Sequence, residues 1–347
     1  MTRLSVRNLA CFGDADYHVD FAPETVIIGP NNVGKSVFLG GFNFLRNNPI
    51  QGSWAPPDWS SPAYNWGDFQ TIVHRHDTAR RITVAAELRG EHWTGRLECE
   101  ASEQSGVTRI TASNAPPAML VEDFKSIWFL SASRSEVSAF IEVGSRGLVT
   151  RWRQGLNPDG SNVVPYLLER YTRRDPRWEE AEKWLNAITN ESVILKSPLS
   201  GNLASVETNL TSGIDVNVAY QGTGVQKALS TVAALVFSPN GSTIIIEEPE
   251  IHLHKRSQQV LIDLINKAVN DWKKQVIFTT HSWDMVLPFV SDVGKGSKRG
   301  QGHVIARPEN FKLVVFDRIK DDIAVSELDI KSMEFMDFQR EVGKLWG

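Results

Sequence analysis

The chain has 347 residues, 41% hydrophobic and 22% charged, with 37 Lys+Arg against 41 Asp+Glu and a formal net charge of −4. That composition supports a full apolar core and excludes disordered, collagen-like and globally basic nucleic-acid-coat classes. Cys11 and Cys99 are the only cysteines, too few for a disulfide framework and without zinc spacing, so they read as free thiols in a reducing compartment. The N-terminus has no apolar signal core, and no apolar run approaches the ~18 residues of a membrane-crossing helix, which predicts a cytoplasmic protein with no membrane contact.

In chain order, LSVRNL, YHVDF and TVIIG read as strands, with a turn at Gly13-Asp14 and a breaker at Pro23. A helix is predicted from Val33 to about Arg46, and the Pro-, Trp- and Ser-rich residues 47–69 predict a long surface loop. RRITVAAELRG and HWTGRLECE alternate as a hairpin, and SIWFLSAS near 126–133 reads as a further strand. Residues 160–190 read helical, with Val164, Leu167, Leu168 and Tyr171 on one face. No internal repeat is present. No long heptad run lies between Gly29 and Gln221, which excludes long coiled-coil arms. In the tail, HVIA and FKLVVFD predict strands and Ile330 to Trp346 a closing helix.

Four motifs carry the chemistry. Gly29-Pro30-Asn31-Asn32-Val33-Gly34-Lys35-Ser36 matches GxxxxGK[ST] between an apolar strand and a helix. Loop and helix amides in that setting converge on a phosphate, Lys35 lies along the β- and γ-phosphates of ATP, and the Ser36 hydroxyl holds Mg²⁺. TIIIEEPE at 243–250 is a strand apolar on both faces that ends in paired acids. Glu247 is the candidate Mg²⁺ ligand and Glu248 the group that polarises the attacking water, the bound Mg²⁺·ATP being their counter-ion. TTHS at 279–282 follows the next apolar strand, after a helix-spaced segment, and would put His281 at a strand's C-terminal edge beside the γ-phosphate. Finally, Gln221-Gly222-Thr223-Gly224 opens an apolar helix, a second phosphate-binding helix end or a simple cap.

Weaker candidates remain open. His252 and His254 flank Leu253 at a spacing that suggests a metal site, a subunit boundary or plain exposure. Arg134 in SASRSE faces nucleotide, DNA, a partner or a structural ion pair. The basic stretch Arg170, Arg173, Arg174 and Arg177 reads as a solvated helix face or as a local DNA contact, and Lys295, Lys298 and Arg299 lie in a glycine-rich segment, 294–302, that reads as a mobile loop.

The order of these four motifs resembles the ABC-type ATPase head. The wording of LSVRNLACFGD, GPNNVGKS, QGTGVQKA, IIIEEPEIHLH and FTTHS is similar to the OLD-like AAA family ATPases, relatives of the RecF and SMC heads found in anti-phage defence. The resemblance implies an α/β fold with a mixed sheet flanked by helices, an antiparallel β lobe and an inserted helical lobe. It implies one head over 1–347, divided into strands and phosphate loop (1–46), an antiparallel lobe (47–130), a helical insert (131–215) and a signature, acidic-strand and histidine lobe (216–347). By position, Gln70 takes the part of the Q-loop glutamine near Mg²⁺. The expected assembly is a homodimer that sandwiches two ATPs, with Gln221 to Gly224 of one copy closing the other's site and a separately encoded effector, a nuclease among the options, under its control; the alternatives are a RecF-like DNA-repair ATPase with ATP-gated DNA binding and a non-hydrolysing nucleotide-gated sensor or scaffold. The sequence departs from the usual pattern at Glu247, where transport ATPases carry Asp, and at Gln221, where Ser is usual. The acids of the tail, Asp317, Asp321, Asp322 and Asp329, form no ordered Toprim set, so the chain is expected to hydrolyse ATP without cutting DNA itself.

Overall fold

The structure, a computed structural model, describes residues 1–48, 52–54, 66–114, 116–134, 141–142, 155–189, 194–196, 199–200, 203–209, 213–290, 310–319 and 322–328, with 340 and 343. Contacts divide the chain into two units: Met1–Ile127, Thr279–His281 and Arg307–Gly347 form the first, Trp128–Phe278 and Ser282–Ala306 the second. The architecture is mixed α/β, with sheets flanked by helices, as expected.

The first unit begins with β1 (Arg3–Arg7) and β2 (Tyr17–Asp20), an antiparallel pair that turns Leu4, Val6, Tyr17 and Val19 inward. β3 (Glu24–Ile28) is buried at all five positions, the mark of a strand covered on both faces. It feeds α1 (Lys35–Asn47), which buries Phe38, Leu39 and Phe42. The predicted loop over 47–69 contains a three-residue strand, β4 (Gly52–Trp54). So short a segment shows no alternation; its partner further along the chain defines it. α2 (Phe69–Ile72) is capped by Asp68, whose carboxylate accepts from the Thr71 N–H at 2.8 Å. β5 (Ile82–Arg89) and β6 (Thr94–Ala101) form the predicted hairpin, and β7 (Gly106–Ser113) extends it and pairs with β4. The six strands run in the order β2-β1-β5-β6-β7-β4. α3 (Pro117–Lys125), absent from the sequence reading, packs Phe124 on Phe42 with ring centroids 4.8 Å apart.

The second unit opens with β8 (Trp128–Leu130) and β9 (Ile141–Glu142). The helical stretch at 160–190 is two helices, α4 (Val163–Thr172) and α5 (Trp178–Thr189). They break at Asp175-Pro176, because proline removes a helix donor and bars the preceding residue from helical backbone. Five short strands follow: β10 (Ile194–Lys196), β11 (Leu199–Ser200), β12 (Leu203–Ala204), β13 (Glu207–Asn209) and β14 (Asp215–Asn217). α6 (Thr223–Phe237) is buried almost continuously from Ala228 to Phe237, a core helix. β15 (Thr243–Glu247) runs parallel to β8, and α7 (Lys255–Asn270) buries one stripe, Leu261, Leu264, Ile265, Ala268 and Val269. β16 (Gln275–Thr279) lies beside β15 and leads to α8 (Trp283–Val290).

The chain returns to the first unit with β17 (Phe311–Ile319), parallel to β3 with Leu313 opposite Val26, and β18 (Asp322–Leu328), antiparallel to β17. FKLVVFD is therefore a strand as expected. Its hairpin partner is the following segment; HVIA lies outside the described residues, as does most of the expected closing helix. No helix among the described residues is long and apolar enough to cross a membrane.

Candidate active site

In the first unit, β3 delivers the chain into the glycine loop and α1 starts at Lys35. Gly34 sits at φ 94°, and a Cβ there would strike the Cys11 sulfur and the Phe12 ring, so only glycine closes this turn. The first hydrogen bond of α1 runs from the Phe38 N–H to the Gly34 carbonyl, and no side chain caps the helix. Its leading amides are thus available to an anion, in the positive field of the helix end. Lys35 is buried, its Nζ donating to the Gly29 and Pro30 carbonyls at 2.7 Å each. The ammonium is folded back across the loop that would carry the phosphates. Ser36 is half-buried beside it. This donor set of backbone amides, one ammonium and one hydroxyl fits a nucleotide phosphate chain with Mg²⁺. The Thr280 N–H donates to the Ile27 carbonyl at 3.1 Å, which sets TTHS alongside the end of β3 and leaves His281 half-buried there. Cys11 packs beneath the loop, and burial raises its thiol pKa.

In the second unit, β15 is buried throughout and delivers Glu247 with 1% exposure. Glu247 Oε2 accepts from the Ala132 N–H at 3.0 Å, and the Glu247 carbonyl accepts from Arg134 Nη2 at 2.9 Å. Ser131 to Arg134 therefore form a strap beside the acidic strand end; their proximity to Glu247 is not legible from spacing. Glu248 takes a left-handed backbone, φ 42°. Burial lowers the Arg134 pKa to about 10, opposed by the Glu250, Glu247 and Glu248 carboxylates.

α6 begins at Thr223, with Gly222 as its cap, as the motif implied. A Cβ on Gly224 would lie 2.7 Å from the His252 carbonyl, so the segment after the acidic strand packs directly on the first turn of the signature helix. Gln221 Nε2 donates to Thr208 Oγ1 at 2.8 Å. Gln226, which the sequence reading did not single out, is buried and ties the loop down through Nε2 to the Ala219 and Gln221 carbonyls at 3.0 and 2.9 Å.

The remaining candidates fall outside these clusters. Gln70 is exposed on α2 in the first unit, and its carbonyl hydrogen-bonds His76 Nδ1 at 2.8 Å. His252 and His254 are exposed, and no group of three or more His, Cys, Asp or Glu among the described residues is placed to hold a metal ion. The arginine stretch is tied up internally: Asp175 takes Arg170 and Arg177, and Glu169 takes Arg173. Lys295, Lys298 and Arg299 lie outside the described residues.

Fold and loop together resemble an ABC-type ATPase head. A family model described as an AAA ATPase domain matches residues 160–286, a span that holds the signature, the acidic pair and His281. A curated OLD nuclease from Thermus scotoductus (strain ATCC 700910 / SA-01) is 22% identical over 394 residues, covering 100% of this chain and 68% of that protein. An SMC head solved with the C-winged helix domain of ScpA has a TM-score of 0.61 at 13% identity, covering 96% of this chain and 99% of that one. A second Smc head, with an extended coiled coil and bound to the C-terminal domain of ScpA derived from Pyrococcus furiosus, has a TM-score of 0.60 at 11% identity, covering 99% of each. These identities carry the fold alone. The longest helix among the described residues, α7, has 16 residues. The chain is similar to OLD-like ABC-type ATPases, and the AAA ATPase domain match and the OLD relative support an ATP hydrolase.

Proposed function

We propose that this ATPase is Mg²⁺-dependent, that ATP clamps two copies head to head, and that the clamped dimer governs a separately encoded effector in anti-phage defence. The observation that carries the reading is the uncapped start of α1 with Lys35 held across the loop. That ammonium exchanges two loop carbonyls for the β- and γ-phosphates on binding. The amides of Gly29 to Ser36, with Pro30, Asn31, Asn32 and Val33 shaping the loop, cradle the phosphates. Ser36 and Glu247 hold Mg²⁺, Glu247 through water, and Gln70 serves as the Q-loop residue. Mg²⁺, when bound, neutralises the phosphate oxygens. Glu248 polarises the attacking water, and His281 contacts the γ-phosphate. Gln221, Gly222, Thr223 and Gly224 close the nucleotide site of the second copy; exposed Tyr220, just ahead of that helix in sequence, offers apolar surface to it. The solved SMC heads are bound to a partner, ScpA, which supports a head that works on another polypeptide. The OLD nuclease relative supports a link to nucleic-acid cleavage, with the cutting assigned to another subunit; the defence role rests on the motif resemblance.

The test is paired. Lys35→Ala is expected to lose ATP binding, and Glu248→Gln to bind ATP while turnover falls roughly 100-fold or more, as for loss of a general base. Near-wild-type turnover in Glu248→Gln removes the catalytic assignment.

A further inference from the structure

Arg134 is 7% exposed, yet its guanidinium makes only one hydrogen bond among the described residues, from Nη2 to the Glu247 carbonyl at 2.9 Å. Nε and Nη1 are buried without a hydrogen-bond partner. A buried cation spent on a single carbonyl is costly, so what that carbonyl controls matters. The Glu247 carbonyl and the Glu248 N–H belong to one planar peptide. Orienting the carbonyl therefore sets the backbone torsion of Glu248, which stands at φ 42°. That conformation is strained for a non-glycine residue, and a hydrogen bond from a charged donor, stronger than one from a neutral group, helps to hold it. The strap carrying Arg134 is itself anchored just before the arginine: the Ser131 N–H donates to the Pro158 carbonyl at 2.8 Å, and the Ala132 N–H to Glu247 Oε2 at 3.0 Å. The charged surroundings are the Glu247, Glu248 and Glu250 carboxylates and Lys227 in the first turn of α6.

We propose that Arg134 is a positioning residue for hydrolysis: by holding the Glu247 carbonyl it fixes the left-handed turn that aims the Glu248 carboxylate. The role rests on Glu248 being the water-polarising group. It makes no demand on contact between Arg134 and nucleotide.

The test measures ATP affinity and turnover separately in Arg134→Ala, Arg134→Lys and the double variant Arg134→Lys/Glu248→Gln, with circular dichroism to confirm folding. Arg134→Ala is expected to lower kcat by about tenfold or more, a loss of ~1.4 kcal/mol per decade, with ATP affinity near wild type. Arg134→Lys, whose ammonium can still donate to the carbonyl, should recover part of that loss, and it carries the test if the alanine variant does not fold. The double variant should turn over no more slowly than Glu248→Gln alone, because a residue acting through Glu248 has nothing left to position. Unchanged kcat in both Arg134 variants, a parallel loss of ATP binding, or additive losses in the double variant would overturn the proposal. If Glu248→Gln itself keeps its turnover, the functional reading falls and this role with it. If Glu248→Gln stalls while the Arg134 variants do not, only this role falls.

Discussion

Two acidic residues at opposite ends of buried strands show how burial assigns different roles to one side-chain type. Glu247, at the C-terminal end of β15, accepts from a backbone N–H and lies near the Arg134 guanidinium. Glu24, at the start of β3, is 1% exposed with neither carboxylate oxygen hydrogen-bonded among the described residues, and burial pushes its pKa up to about 8. Glu24 is thus protonated in the folded state at neutral pH while the unfolded chain ionises near the ordinary 4.5. The sign is unfavourable to folding: stability is full below the unfolded value and declines as pH rises toward 8. At about 1.4 kcal/mol per unit, the cost at pH 7 is roughly 3 kcal/mol. Glu24→Gln keeps the shape and cannot ionise. Its melting temperature relative to wild type is expected to climb steadily between pH 4.5 and 8 in matched thermal scans; a constant difference across that range would show that Glu24 stays ionised.

Among the elements, α6 joins chemistry at one end to structure at the other. Its first turn carries Thr223 and Gly224 against the His252 carbonyl. At its C-terminus, Arg177 Nη1 donates to the Val236, Phe237 and Ser238 carbonyls at 3.4, 3.1 and 3.2 Å, and Lys274 Nζ to the Leu235 and Val236 carbonyls at 2.5 and 3.4 Å. These are the carbonyls a helix leaves unsatisfied, and cations suit the negative end of its dipole. Burial, with Arg177 adding repulsion, lowers the Lys274 pKa to about 7, and the ammonium also lies 4.7 Å from the Trp272 ring centroid. One arginine of a basic stretch that invited a nucleic-acid reading thus caps a core helix, while Arg170 and Arg173 pair with Asp175 and Glu169. Arg177→Met is therefore expected to destabilise the protein by about 1–2 kcal/mol through lost charge-assisted hydrogen bonds. Denaturant unfolding measures this, and an unchanged midpoint would mean that water replaces the guanidinium without loss.

For the whole molecule, the first unit holds the phosphate loop and His281, and the second holds the signature helix and the acidic pair. In the proposed clamp, where ATP is sandwiched between two copies, trapping the nucleotide should trap the dimer. Light scattering of Glu248→Gln is expected to show a dimer at saturating Mg²⁺·ATP, and the Lys35→Ala chain should not respond to the nucleotide. A monomer at saturating ATP would sink the clamp. The same preparation, incubated with plasmid and Mg²⁺ or Mn²⁺, is expected to leave the DNA uncut; nicking that tracked mutations in this chain would reverse the assignment of cleavage to another subunit.

Local chemistry was legible in the sequence alone. GxxxxGK[ST] needs glycine where φ is positive and a helix immediately after, so Gly34, Lys35 and the start of α1 could be read from residue types. The all-apolar runs at 26–28 and 244–246 announced buried strands for the same reason: a strand covered on both faces cannot alternate. Strand pairing and long-range hydrogen bonds could not be read this way. β4 is three residues defined by β7, and β18 was passed over because its partner, not its own composition, marks it. Arg134 was visible as an unusual arginine, but which group it serves depends on a carbonyl more than a hundred positions along the chain. A side chain's type limits what it can donate. The fold alone decides which backbone oxygen stands within 3 Å of it, because that distance is set by the packing of β8 against β15 and not by any local preference.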